Sequence, residues 1–149
     1  MVGPDAISEK CRYALRAVFD LALRNSPQPV KIQEIASNQA IPQRFLEVIL
    51  AELKHGGFVS SQRGADGGYI LLRPANQLAV GEVIRFMQGG DQKRAQAAGS
   101  QYIPGDYIFG ALWQKVTKAV ADIYDTATFA DLVEQELAAR GNYAGDYVI

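Results

Sequence analysis

The chain has 149 residues, 48% apolar and 21% charged, and its 15 Lys/Arg against 16 Asp/Glu leave a formal net charge of −1. Those proportions suit one ordinary globular domain, and the single cysteine, Cys11, excludes an intrachain disulfide and a multi-thiolate zinc site built by one chain. No apolar run is long enough to span a bilayer, and the opening Met1-Val2-Gly3-Pro4-Asp5 is no signal peptide, so a cytoplasmic protein without membrane contact is expected.

In chain order, Ile7 to Leu23 reads as an amphipathic helix. Ser8 is its N-cap, and Cys11, Ala14, Leu15, Val18, Phe19, Ala22 and Leu23 form the buried stripe. Cys11 is thus a small buried hydrophobe. Two prolines in Asn25-Ser26-Pro27-Gln28-Pro29 stop the helix. A short second helix spans Lys31 to Ala36, and Ser37-Asn38-Gln39-Ala40 connects it to a third. Pro42 fits the first turn of that third helix, where a missing N–H costs nothing. Phe45, Leu46, Ile49, Leu50 and Leu53 make its apolar stripe, leaving Gln43, Arg44, Glu47, Glu52 and Lys54 on other faces. Gly56 and Gly57 supply a left-handed stop. His55 lies in the last turn, where a cation suits the helix dipole. Phe58–Gln62 and Tyr69–Leu72 are strand-like, and the six residues between them, Arg63 to Gly68, include three glycines. Two short helices and a hairpin make a winged helix-turn-helix, a mainly α (α+β) fold.

Arg73-Pro74-Ala75-Asn76 is a turn. Val80, Val83, Ile84 and Met87 mark a fourth helix ending at Gly89-Gly90, and residues 91–105 form a polar loop or linker. From Asp106, Phe109, Leu112, Trp113, Val116, Val120 and Ile123 recur at helical steps over a long helix. Thr128 and Asp131 resemble a capping box for a last helix carrying Leu132, Val133 and Leu137. This divides the chain into a DNA-binding unit (1–90), a linker (91–105), dimerisation helices (106–138) and a flexible tail (139–149). A long apolar-faced helix outside a compact domain needs a surface to bury against, and a second copy of the chain is the expected one. Near-neutral charge counts against a strong DNA binder, but residues 1–75 carry +2 and residues 76–149 carry −3. Local fields govern phosphate contact more than net charge does.

Together these residues resemble the Rrf2 family of bacterial winged-helix regulators. The likeness begins at Ile7-Ser8-x-Lys10-x-x-Tyr13-Ala14-Leu15 and continues through Ile35-Ala36. It is densest in Ile41-Pro42-x-x-Phe45-Leu46-Glu47-x-Ile49-Leu50-x-x-Leu53 and in Ser61-x-Arg63-Gly64-x-x-Gly67-Gly68-Tyr69, and Leu112-Trp113 also fits. The resemblance implies a homodimeric transcription factor, a repressor of a palindromic double-stranded operator. The Pro42–Glu47 end of the third helix would face base edges and Arg63 would enter a minor groove. Gln43 and Arg44 stand where side chains commonly reach bases, and Glu47 can accept from a cytosine amino group. Gly64, Gly67 and Gly68 would let the wing approach closely, Tyr69 would pack the wing, and Ser8 and Lys10 would touch phosphate.

Many members of the family carry three cysteines before the long helix and bind an iron–sulfur cluster. Here Asp91 to Tyr107 contains none, Gly110 stands where a histidine often precedes the Leu-Trp pair, and no cofactor is expected. Among cluster-free members of the family, it is the cysteine-metabolism regulators that this chain resembles. The final Asp146-Tyr147-Val148-Ile149 is similar to the tail by which serine acetyltransferases insert an isoleucine into O-acetylserine sulfhydrylase (cysteine synthase). That enzyme is therefore an expected partner. Two other readings remain: a regulator of this type sensing another small molecule or a redox signal, and an interaction protein modulating cysteine synthase without DNA. An enzyme is not expected, because His55 has no nucleophile partner and the glycine-rich wing does not open a helix as a phosphate loop does.

Overall fold

The computed structural model describes residues 3–89 and 101–147, with the side chains of 143–147 left aside. Its elements are α1 (Glu9–Arg24), α2 (Ile32–Gln39), α3 (Gln43–His55), β1 (Val59–Gln62), β2 (Gly68–Leu71), α4 (Val80–Met87), α5 (Asp106–Thr126) and α6 (Phe129–Tyr147).

α1 is the axis. The Ser8 hydroxyl accepts from the Cys11 N–H at 3.1 Å, satisfying a donor left open by the first turn, and such a cap contributes about 1 kcal/mol. The helix packs on α2, α3, α4 and α6, and three of its buried residues are alanines, Ala14, Ala17 and Ala22. Small side chains let neighbouring helices approach closely. The buried stripe accordingly centres on Cys11, Ala14, Ala17, Val18, Leu21 and Ala22, whereas Leu15, Phe19 and Leu23, expected at its heart, are half-buried on its flanks. One member is charged. Asp20 is wholly buried and accepts from Arg24 Nε at 2.9 Å, Asn38 Nδ2 at 3.0 Å and Gln39 Nε2 at 3.2 Å.

Those last two bonds explain why α2 runs to Gln39, past the expected end at Ala36. Asn and Ser compete with helical backbone when free, but here Asn38 and Gln39 are tied to α1. The turn into α3 is correspondingly tight. Ala40 takes a left-handed conformation (φ 50°), and Ile41 is buried and donates its N–H to Ala36 O at 3.0 Å. Pro42 is the N-cap of α3, one position earlier than the sequence suggests.

α3 buries Leu46, Ile49, Leu50 and Leu53, each worth about 1.5–3 kcal/mol. Gly57 (φ 79°) is the left-handed stop, and Gly56 has an ordinary helical φ. The strands pair antiparallel in the register Val59↔Leu71 to Gln62↔Gly68, and Val30 bridges Tyr69 on the other edge with two 2.8 Å hydrogen bonds. The hairpin therefore rests on the segment before α2.

Thr128 and Asp131 form the expected reciprocal cap, both bonds at 3.1 Å, and Phe129 behind it is almost wholly buried in the winged core. α6 continues through Gly141 to Tyr147, so residues 139–147 are helical where the sequence suggests a flexible tail. Val148 and Ile149 lie outside the described residues, as do residue 90 and most of the expected linker, residues 91–100. Among the described residues no helix is long and apolar enough to cross a membrane.

Candidate nucleic-acid interface

The exposed side of α3 carries Gln43, Arg44, Glu47 and Val48, with Pro42 exposed just before it. Among the described residues neither Arg44 nor Glu47 forms a salt bridge, so their charges face solvent. Phe45, expected in the buried stripe, is half exposed instead. The geometry explains it. At about 100° per residue, the centre of Leu46, Ile49, Leu50 and Leu53 lies roughly 90° around the helix from Phe45. The Arg44 guanidinium sits 5.2 Å from the Phe45 ring centroid, a contact that holds the arginine along the outer face of α3. Phe45 and Val48 are additions that the apolar period alone concealed. Outward aromatic and branched side chains on a groove-reading helix suit thymine methyl groups.

The wing is fastened to this helix. Lys54 Nζ, in the last turn of α3, donates to Ser61 Oγ in β1 at 2.7 Å. Arg63 and Gly64 are exposed at the tip, where Gly64 (φ 105°) turns the chain with nothing within 4 Å of the space a side chain would take. Gly67 and Gly68 stand apart from them. A Cβ on Gly67 would lie 2.2 Å from Gln62 O, and one on Gly68 would lie 2.4 Å from Val30 O. Gly67 is buried, so these two glycines close the hairpin and seat it on the domain, and the expected close approach is to the protein's own backbone.

At the start of α1, the Ser8 hydroxyl is engaged as N-cap and its N–H donates to Gln88 Oε1 at 3.0 Å. Lys10 is exposed but pairs with Glu52 of α3. Its ammonium is partly neutralised and ties α1 to α3.

The second candidate surface is α5. Not one of its residues is buried within the single chain. Phe109, Leu112, Trp113, Val116 and Ile123 range from 46% to 67% exposed, and Val120 is half-buried. The Phe109 and Trp113 rings stack at 6.0 Å. An apolar stripe of this length does not fold back on its own domain. Tyr107 and Ile108 at the start of α5, and Tyr102 and Ile103 just before it, are also exposed, but Tyr107 and Ile108 stand on other sides of the helix.

Cys11 is wholly buried, and burial pushes its thiol up to about 11, with Arg12 pulling slightly the other way. Among the described residues no group of three or more His, Cys, Asp or Glu side chains is placed to hold a metal ion. One inert, buried thiol does not fit the several thiolates that an iron–sulfur cluster takes.

Comparison with known proteins agrees with this geometry. Residues 7–135 match the family model Rrf2, described as an iron-dependent transcriptional regulator. An rrf2-like HTH-type transcriptional regulator of Rhodobacter capsulatus is 34% identical over 143 residues, covering 93% of this chain and 95% of that protein. The HTH-type transcriptional regulator IscR of Klebsiella pneumoniae is 33% identical over 131 residues, covering 87% of this chain and 80% of its own. Among solved structures, T. potens IscR matches with a TM-score of 0.71 and 32% identity, covering 90% and 91% of the two chains. CymR, the global cysteine regulator of B. subtilis, matches with a TM-score of 0.74 and 27% identity over 91% of this chain and 98% of that one.

Proposed function

The chain belongs to the Rrf2 family of transcriptional regulators, and on that premise we propose that it is a homodimeric repressor that reads a palindromic operator. The observation that carries the reading is α5, a 21-residue helix with an apolar face and no buried residue. Such a face in water needs a second surface, and a two-fold partner provides it while presenting two winged domains to two half-sites. In this reading Gln43, Arg44 and Glu47 meet base edges beside Pro42. Arg63 and Gly64 enter the adjoining minor groove. Ser8 and Lys10 border the phosphates. Gly67 and Gly68 serve the wing from within.

The test combines mass and affinity. Light scattering should give twice the chain mass, and Leu112→Glu should halve it. A duplex enriched from a random library should be palindromic. On it Arg63→Ala should cost about tenfold in affinity and lower the salt dependence by about one phosphate contact. Glu47→Ala should relax preference at one base pair per half-site. A monomer that selects no sequence would refute the proposal.

The regulator works without an iron–sulfur cluster in this proposal, a reading supported by the single buried cysteine. A finer reading places it in cysteine or sulfur metabolism. Its support is the likeness to the B. subtilis cysteine regulator and the tail sequence Asp146-Tyr147-Val148-Ile149. Asp146 and Tyr147 stand on the last turn of α6, so only a tail that unwinds from the helix could enter a pocket of O-acetylserine sulfhydrylase. Calorimetry of that enzyme against the chain with and without Ile149 decides it. Equal heats from both would end the enzyme-partner reading and leave the operator reading untouched.

A further inference from the structure

α5 is held to the winged domain at its C-terminal end. Val80 N–H donates to Ala127 O at 2.9 Å, Phe129 N–H donates to Leu78 O at 3.0 Å, and Ala79 and Thr128 form an isolated antiparallel bridge. Beside this backbone seam lies a side-chain pin. Arg85 Nη1 of α4 donates to Asp125 Oδ1 of α5 at 2.6 Å. Gly81, buried in the first turn of α4, makes room for the acceptor, because a Cβ there would lie 2.1 Å from the same Oδ1. Its φ is not in the left-handed region, so the backbone does not demand a glycine. Glycine is otherwise unfavourable inside a helix. The space it leaves is filled by the Asp125 carboxylate.

α4 is in turn fixed to the DNA-reading unit. The Phe86 ring packs on Phe58 at 5.3 Å between centroids and covers Gly56, just past the end of α3. The chain of contacts from recognition helix to α5 therefore passes through Gly56, Phe86, Arg85 and Asp125.

We propose that Gly81, Arg85 and Asp125 are positioning residues for DNA recognition: they set the angle of α5 on the winged domain, and so the spacing of the two recognition helices along the operator. The inference rests on the dimeric reading above. Its magnitude follows from leverage. The apolar segment Phe109–Val116 lies roughly 14–24 Å from Asp125 at 1.5 Å per residue. A swing of about 10° at the pin displaces that segment by roughly 2–4 Å, close to the 3.4 Å rise of one base pair. Both protomers swing, so a loosened pin is felt as an error of at least a base pair.

The test uses the full-length wild type and the variants Gly81→Ala and Arg85→Gln. The methyl group added by the first would displace the Asp125 carboxylate, and the second would remove its charged partner. Arg85 is partly exposed, so R85Q keeps the test alive if G81A does not fold. The probes are the duplex enriched by the wild type and derivatives with one base pair inserted or deleted at the dyad, read by fluorescence anisotropy. The wild type should lose about tenfold or more in affinity on either derivative. In both variants the loss should shrink to about threefold or less, with dimer mass and affinity for a single half-site unchanged. Wild-type discrimination retained in both variants would overturn the proposal. So would variants that are monomeric or lose half-site affinity, since the pin would then serve folding alone. A wild type that is monomeric or enriches no palindrome would overturn the dimeric reading itself, before any variant is compared.

Discussion

Replacing Asp20 by alanine tests how the helix-turn-helix is held in register. The Asp20 carboxylate is wholly buried and receives three donors, one from α1 itself and two from the last turn of α2. A hydrogen bond to a charged group contributes about 1.5–3 kcal/mol, but the three do not add in full. Arg24 keeps its second partner, Glu34, at 3.0 Å, and Asn38 is exposed enough to take water. Alanine also spares the desolvation of a buried carboxylate. The net cost is therefore about 2–3 kcal/mol, or roughly 30- to 150-fold in the folding equilibrium at 1.4 kcal/mol per decade. Asp20→Asn keeps the shape and one acceptor but turns an amide NH2 toward a donor, and should cost about half as much. Urea unfolding at one fixed protein concentration gives both values, because an oligomer's stability depends on concentration. Operator affinity should fall further in the alanine variant than in the asparagine one, since α2 and the Ala40 turn lose their anchor. If Asp20→Ala comes within about 0.5 kcal/mol of wild type, the range of ordinary surface substitutions, the carboxylate does not anchor α2.

Three further outcomes are expected. Cys11, with its thiol pushed up to about 11 by burial, should react with a disulfide reagent at pH 8 only through opening of the core, and the rate should climb with urea; reaction in seconds in native buffer would contradict its place in α1. Burial raises the Glu82 carboxyl, but the Ala79 N–H and Arg73 outweigh it and hold its pKa below the ordinary value. A depressed carboxylate stabilises the fold above its unfolded pKa, and the contribution fades as pH falls through the folded one. Glu82→Gln keeps an oxygen for the Ala79 N–H but loses the charge facing Arg73, so it should cost about 0.5–1 kcal/mol at pH 7 and progressively less in acid, whereas a pH-independent difference in thermal melts would contradict the assignment. Gly57→Ala, at φ 79° with nothing within 4 Å, should lose about 1–2 kcal/mol through backbone strain alone, with Asn tolerated better; equal melting of all three forms would exclude a left-handed stop there.

The parts legible in the sequence are those governed by local rules. The stripe Leu46, Ile49, Leu50, Leu53, the Ser8 and Thr128 caps and the hairpin around Gly64 follow from spacing and from the donors a helix end leaves open. What escaped was decided by tertiary contact. Ser37-Asn38-Gln39 is polar and reads as a loop, yet a carboxylate eighteen residues earlier keeps it helical. Asp20 itself gave only a faint signal, an acid among apolar neighbours with Arg24 one turn on. α6 outran its apolar period because Gly141 looks like a stop and is none. At the candidate interface, Gln43, Arg44 and Glu47 are legible as the polar side of α3, whereas the exposure of Phe45 is hidden by counting any apolar residue near the stripe as part of it. Gly81 carried no sequence signal at all, since its reason is a side chain forty-four residues away.

Phe129 has a bearing on how the molecule comes into being. Its ring completes a core otherwise assembled from the first ninety residues, and α6 behind it lies along α1. During synthesis α1 therefore stays incompletely covered until Phe129 has left the ribosome. Closing so long a circuit slows maturation more than it weakens the product. A polypeptide ended just after Gly89 would keep every side chain of the candidate interface but lose Phe129, the Leu132 and Val133 that pack beside it, and the whole of α5.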